Sequence, residues 1–215
     1  MERLIVFSRY PEPGKTKTRL IPAIGPVGAA NLQRQLTEAV LRTVRQLQQL
    51  RPQLEVVVYY AGGDLAAMAA WLGEGNYQPQ AAGDLGVRLR QAFADAWAAG
   101  CQRAMAIGID CLEADAAVLA RGLAGLQSCG VALGPATDGG YYTVGLRRDC
   151  SELATQIFDN IDWGSDRVLG QTLAIVRNFQ QSLVLLPYRR DIDRPGDLWS
   201  LPQELRGAPE LALRA

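Results

Sequence analysis

Short apolar runs alternate along this chain with longer stretches of helical periodicity, and no other feature restricts the fold as much. The runs Leu4–Ser8, Leu54–Tyr60, Ala104–Ile109, Val131–Leu133, Tyr142–Leu146 and Leu183–Leu186 are rich in β-branched or aromatic residues, and most are bounded by Gly, Pro or Asp. They read as strands. After Gly25-Pro26, apolar residues recur at Leu32, Leu36, Val40, Val44 and Leu47, the three-and-four spacing of one helix face, and Pro26 suits a first helical turn. Further helices are expected over Asp64–Leu72, Leu85–Ala98, Asp115–Leu126 and Ser165–Phe179, the last with Ser165 as its N-cap. Strand and helix in alternation imply an α/β fold with a mostly parallel sheet. One link departs from this pattern. Leu133 and Tyr142 are too close in sequence for a parallel crossover, which needs about a dozen residues, so that pair is antiparallel or leaves the main sheet. No linker, internal repeat or low-complexity segment divides the chain. Residues 1–215 are therefore expected to form a single domain, with a frayed tail after Gly207.

Composition excludes several kinds of chemistry. The chain has no histidine, which removes Ser-His-Asp and Cys-His catalysis and every His-containing metal site. The four cysteines, at 101, 111, 129 and 150, form no C-x-x-C pair, so zinc and dithiol redox motifs are absent and free thiols are expected. Basic and acidic residues balance at 22 each, leaving no global field to hold nucleic acid or an anionic membrane. The N-terminal apolar stretch is too short for a signal peptide, and no run approaches the ~18 residues of a membrane span. The expectation is a cytoplasmic protein with neither nucleic acid nor membrane as partner.

In an open parallel sheet, ligands bind beyond the carboxyl ends of the strands, so the residues that follow each strand carry the functional reading. After the first strand, Pro11, Pro13 and Gly14 stop the extended chain and leave a loop bearing Arg9, Lys15, Lys17 and Arg19. Both lysines of the protein lie in it. Such a loop holds phosphates by charge and by backbone N–H groups, although the P-loop pattern is absent. The alternative is a solvated basic loop, and either way it is expected to contribute little to stability. Asp110 follows the Ala104–Ile109 strand, where a carboxylate either ligates Mg²⁺ or Mn²⁺ or caps the next helix. Asp138-Gly139-Gly140-Tyr141 serves a hydroxyl or a metal, or is an Asp-Gly turn. Asp191, Asp193 and Asp197 could complete a metal site, with Asp197 read as a cap. Asp84 is also placed to cap a helix.

Taken together, these segments resemble one family. In order they are Pro13-Gly14…Lys17-Thr18-Arg19-Leu20, Gly83-Asp84-Leu85-Gly86…Arg88, Gly108…Asp110, Gly134-Pro135…Asp138-Gly139-Gly140-Tyr141-Tyr142, Trp163-Gly164-Ser165 and Asp191-x-Asp193-x-Pro195-x-Asp197-Leu198. The pattern is similar to the bacterial DUF2064 proteins, also called glycosyltransferase-like or "transferase 1, rSAM/selenodomain-associated", of the nucleotide-diphospho-sugar transferase superfamily. It extends from residue 3 to about residue 199. The resemblance implies a GT-A-type three-layer α/β/α sandwich with a mixed, mostly parallel sheet, and kinship with phospholactate guanylyltransferase and molybdenum-cofactor nucleotidyltransferases. It also implies roles for individual residues. Arg9, Pro13, Gly14, Lys15, Lys17, Arg19, Asp84 and Arg88 would bind the nucleotide. Asp110, with Asp191 or Asp193, would hold Mg²⁺ or Mn²⁺. Asp138, Gly139, Gly140 and Tyr141 would face the acceptor or sugar, and Lys17, Arg19 and Asp110 would be catalytic. The family usually reads Gly-Ser/Thr-Asp-Ser/Cys-Pro around the metal aspartate, whereas this chain reads Gly108-Ile109-Asp110-Cys111-Leu112.

The expected function is a metal-dependent transferase acting on a nucleotide or nucleotide-sugar and a second, acceptor substrate. The cationic loop favours nucleotidylyl transfer, because a pyrophosphate leaving group needs neutralising charge. Glycosyl transfer from an NDP-sugar is the alternative. The departures at Ile109 and Leu112 raise a third reading, a catalytically inactive nucleotide-binding module. A homodimer is compatible with all three.

Overall fold

The computed structural model describes residues 1–206. Its strands are β1 (Glu2–Arg9), β2 (Leu54–Ala61), β3 (Tyr77–Pro79), β4 (Arg103–Ile107), β5 (Val131–Pro135), β6 (Tyr141–Arg147) and β7 (Leu183–Leu185). Its longer helices are α1 (Ile21–Leu50), α2 (Leu65–Leu72), α3 (Leu85–Ala98), α4 (Ala116–Gly125), α5 (Ser151–Phe158) and α6 (Val168–Asn178). The strands form one sheet in the order β3-β2-β1-β4-β6-β5-β7. β6 runs antiparallel to both its neighbours, and every other pairing is parallel. The antiparallel link between β5 and β6 is the one implied by the short spacing, and the mixed three-layer α/β/α arrangement is as expected.

Alternation along β1 builds both cores at once. Leu4 and Val6 pack with α1 and α4 on one face, while Ile5 packs with α3, α5 and α6 on the other. All three are fully buried, each contributing about 1.5–3 kcal/mol by removal from water. α1 bends at Gly25 (φ 71°), so that Pro26 opens the longer segment whose Leu32, Leu36, Val40, Val44 and Leu47 face the sheet. α3 spans the residues expected, because the Asp84 carboxylate accepts the Val87 N–H at 2.9 Å and fixes its start.

Three expectations are corrected. The strand expected to run to Ile109 ends at Ile107, where the chain leaves the sheet to present Asp110. Ser165 does not cap α6. Its hydroxyl accepts the Arg167 N–H at 3.2 Å inside a preceding turn, and the helix begins at Val168. Two of the elements named above are not among those expected, the three-residue strand β3 and the helix α5. The expected fraying after Gly207 lies outside the described residues. No described helix is long and apolar enough to cross a membrane, and the cysteines are free thiols.

Candidate functional site

The strand order places β1 and β4 side by side, with β1 leading on to β2 and β4 paired on its far side with β6. The crevice beyond their carboxyl ends is where an open α/β sheet accepts a ligand. Segments that reach it include the loop after β1, the start of α3, residues 108–111 after β4, the β5–β6 turn, residues 163–166 and residues 191–197.

The first loop is anchored from beneath by Thr16 and Leu20, both buried. At its end Lys17 adopts a left-handed conformation (φ 46°), which leads into a short 3-10 turn over Thr18–Leu20. The Lys17 side chain is only 4% exposed. Its ammonium lies 2.8 Å from Asp110 Oδ1 and 4.0 Å from Asp193 Oδ1, and donates to the Ile192 carbonyl at 2.5 Å. Arg19 pairs with Asp193. This corrects the expectation of a solvated loop that contributes little to the fold. Lys15 fits that description, being exposed and paired at the surface with Glu12, but Lys17 is a buried tie between distant segments.

Asp110 is presented by a short turn whose neighbours are apolar. Ile109 is buried in the core with Ile192 and Leu198, and Leu112 packs against the same cluster. The departures from the usual family pattern thus serve packing behind Asp110. The Asp110 carbonyl accepts the Ile192 N–H at 2.8 Å, tying the late segment to the turn. The next helix is capped by Asp115, not Asp110, which leaves the Asp110 carboxylate for the crevice. Asp191 lines a cavity with Asp110. Its carboxyl is pushed up to about 7, first by burial and then by the nearby Asp110 and Asp138 carboxylates.

Two cavities meet here. One, of about 520 Å³, is lined by the basic residues Arg9, Lys15, Lys17, Arg19 and Arg88 together with Asp110. Arg88 is braced by Gln80 Oε1 at 3.1 Å, and Gln80 in turn donates to the Ser8 and Tyr59 carbonyls. The other, of about 680 Å³, is lined by Asp138, Gly140, Tyr141, Trp163, Asp166 and Asp191 among others. Asp138 forms the turn read as its alternative, accepting the Gly140 N–H at 3.0 Å, and it still faces this cavity. Gly139 (φ 91°) packs so closely that an added Cβ would lie 2.2 Å from the Asp166 carbonyl. Gly86 is equally constrained, because a Cβ there would lie 2.0 Å from the Phe158 carbonyl and 2.8 Å from Trp163 Nε1. These contacts seat Trp163 edge-on to Tyr141, with ring centroids 6.2 Å apart.

Arg9, Lys15, Lys17, Arg19, Arg88, Asp110, Asp138, Gly140, Tyr141, Asp191 and Asp193 therefore all line the joined crevice. Pro13 and Gly14 form an exposed turn beside it, Gly139 supports it from behind, and Asp84 is occupied as a cap. The sequence assigned no role to Gln80, Trp163 or Asp166. Only Trp163 stood in a recognisable motif. Gln80 follows a strand too short to show periodicity.

Among the described residues no three His, Cys, Asp or Glu side chains already converge as a ligand set, and Lys17 lies against Asp110. The donor chemistry fits all the same. Asp110 and Asp191 both face a smaller cavity of about 200 Å³, both supply oxygen, and the repulsion that raises Asp191 is what a hard cation relieves. Asp193 is held by Arg19.

No curated protein matches the chain. Among solved structures, a protein of Desulfovibrio desulfuricans G20 assigned by name to the nucleotide-diphospho-sugar transferases is 30% identical, covering 99% of this chain and 93% of its own, with a TM-score of 0.84. A CMP:2-keto-3-deoxy-manno-octonic acid synthetase complexed with CTP shares the fold at 12% identity and a TM-score of 0.54, covering 93% of this chain and 95% of its own. The manganese complex of Rv0371c from Mycobacterium tuberculosis H37Rv does so at 15% identity and a TM-score of 0.56, covering 93% and 96%. Residues 43–165 match the family described as "Uncharacterized protein conserved in bacteria (DUF2064)". With more than half its length in that match and with the fold of the nucleotide-diphospho-sugar transferases, the chain belongs to the DUF2064 family.

Proposed function

We propose that this protein is a divalent-metal-assisted nucleotidylyltransferase, which moves a nucleoside monophosphate from a triphosphate to an acceptor and releases pyrophosphate. The observation that carries this reading is the pair of cavities that meet at Arg19 and Asp193, one lined by Asp110 and five basic side chains and the other by carboxylates and aromatic rings. The fold shared with a synthetase bound to CTP, and with a relative named for nucleotide-diphospho-sugars, supports it.

The triphosphate lies in the basic cavity, with Arg9, Lys15 and Arg88 around its charged end. Lys17 and Arg19 turn from their carboxylate partners to the phosphates as the nucleotide enters, a charge-assisted exchange of one anion for another. An acceptor oxygen then bonds to the α-phosphorus as the bond from that phosphorus to the bridging oxygen breaks. Pyrophosphate leaves with the electron pair, and the acceptor proton passes to water. Asp110 and Asp191 would hold Mg²⁺ or Mn²⁺, which supplies charge neutralisation at the phosphates. The fold shared with a manganese complex is consistent with that choice.

One observation favours a second reading. Asp138, Tyr141 and Trp163 make a wall suited to a sugar, as a glycosyltransferase donor site would need. Labelled GTP, CTP, ATP and UTP, offered beside UDP- and GDP-sugars with Mn²⁺ and a pool of acceptors, separate the two. Pyrophosphate release from a triphosphate is expected. Nucleoside diphosphate release from a sugar donor overturns the proposal in favour of glycosyl transfer. Binding with neither product assigns the chain to inactive modules.

A further inference from the structure

The larger cavity differs from its neighbour in the sign of its charge. Five carboxylates line it against two arginines, and one of those arginines, Arg19, is bound to Asp193. In the adjoining cavity the balance is reversed, with five basic side chains against two carboxylates. The boundary between the two runs through Arg19, Leu85 and Asp193, with Asp110 on the basic side. A divalent cation on Asp110 and Asp191 leaves Asp138, Asp166 and Asp197 still facing the larger space. A phosphate monoester entering there meets a field of its own sign in a partly enclosed site, where repulsion is screened less than at an open surface.

The rest of the wall favours a different guest. The Trp163 and Tyr141 rings stand edge to face and give the cavity an apolar side. Asp138 and Asp166 supply acceptors for hydroxyl or ammonium protons. Gly139 and Gly86 allow these parts to approach at all, since a side chain on either would overlap the Asp166 or the Phe158 backbone. An apolar plate beside converging acceptors suits a polyhydroxylated ring, with its C–H face on the aromatic side and its hydroxyls on the carboxylates.

Resting on the nucleotidylyltransferase reading, we infer that the acceptor is a neutral or amine-bearing polyol that attacks through a hydroxyl, and not a phosphorylated compound. Charge thus sorts the two substrates, with the anionic nucleotide drawn to one half of the crevice and excluded from the other.

The test uses the full chain with Mg²⁺, with and without the nucleoside triphosphate that binds most tightly in a separate calorimetric titration. Glucose, glucosamine and glucose 1-phosphate are the probes, and saturation transfer from protein to probe is the readout. Glucose and glucosamine are expected to receive saturation, with glucose 1-phosphate at least about tenfold weaker, the size of one charge-assisted contact. The exposed Asp166 side chain can be reversed without touching the backbone that Gly139 packs against, so Asp166→Lys is expected to fold and to bring glucose 1-phosphate to parity. Trp163→Phe, checked by thermal melting, is expected to weaken all probes together. Glucose 1-phosphate binding as well as glucose, no binding by any probe, or an unchanged order in Asp166→Lys overturns the inference. If the nucleotide titration is blank while the sugar preference holds, the nucleotidylyltransferase reading falls and the inference about the cavity stands.

Discussion

Replacing Lys17 by methionine tests whether the first loop is structural. The substitution nearly conserves volume and removes only the ammonium, so packing losses stay small. Two partners are left behind. The Ile192 carbonyl loses its 2.5 Å donor, and an unsatisfied acceptor of this kind costs about 1–3 kcal/mol. Asp110, about a third exposed, loses its 2.8 Å counter-ion, which at that exposure adds about 1 kcal/mol. The sum is about 2–4 kcal/mol, or roughly 4–16 °C in melting temperature for a chain of this size. Lys15→Met is the control. Lys15 is 66% exposed and paired only at the surface, so its loss is expected to cost less than ~0.5 kcal/mol. Circular dichroism melts at pH 8 in EDTA compare the two, and Mn²⁺ is expected to recover part of the Lys17→Met loss by restoring positive charge beside Asp110. A Lys17→Met melt within about 1 °C of the parent, or equal shifts for the two variants, would refute the reasoning.

Other consequences can be measured separately. Gly139→Ala forces a Cβ toward the Asp166 carbonyl at a positive φ, so it should lower melting temperature and abolish turnover while Gly170→Ala, on α6 with open space around it and no positive φ, leaves the cavity wall in place; equal activity in both would contradict this. Because the Asp191 carboxyl is pushed up to about 7 in the folded state, the native protein binds more protons than the unfolded chain between about pH 4 and 7, and stability should fall as pH rises through that window. Asp191→Asn should flatten the decline, and an unchanged profile would remove Asp191 as its source. Protons and Mn²⁺ compete for the same carboxylate, so metal affinity measured by calorimetry should weaken below about pH 7. The Cys111 thiol is buried and pushed up to about 12, so iodoacetamide at pH 8 should leave it unmodified and activity intact; rapid inactivation traced to Cys111 would show the site opens more than its burial allows.

Local signals proved legible and distant pairings did not. α3 was readable from Gly83-Asp84 because a cap and its helix lie within one turn, and a count of residues between two apolar runs narrowed β6 to an antiparallel strand or one outside the main sheet, of which the fold takes the first. β3 is three residues long, below the length at which alternation can be seen. α5 was readable in principle, since Leu153, Ala154, Ile157 and Phe158 recur at helical spacing, but the adjoining 3-10 turn over Arg148–Cys150 blurs its start. The basic loop and the late acidic segment were each visible as a run of charge. That Lys17 and Arg19 pair with the second run, 175 and 174 residues away, is a property of the fold that no local pattern records. The same holds for the carboxylates that raise Asp191.

The tie from Lys17 and Arg19 to residues 192–193 also has a consequence for synthesis. A growing chain makes the basic loop first and must produce all seven strands of the sheet before Ile192 and Asp193 exist to receive it. Until then Lys17 has no carbonyl to meet and Arg19 has no carboxylate. Closing so long a span is among the slow steps of folding. A nascent chain therefore carries Arg19 without its carboxylate and Lys17 with Asp110 alone, and the crevice gains its two opposed halves only when the last strand and the segment after it have been laid down.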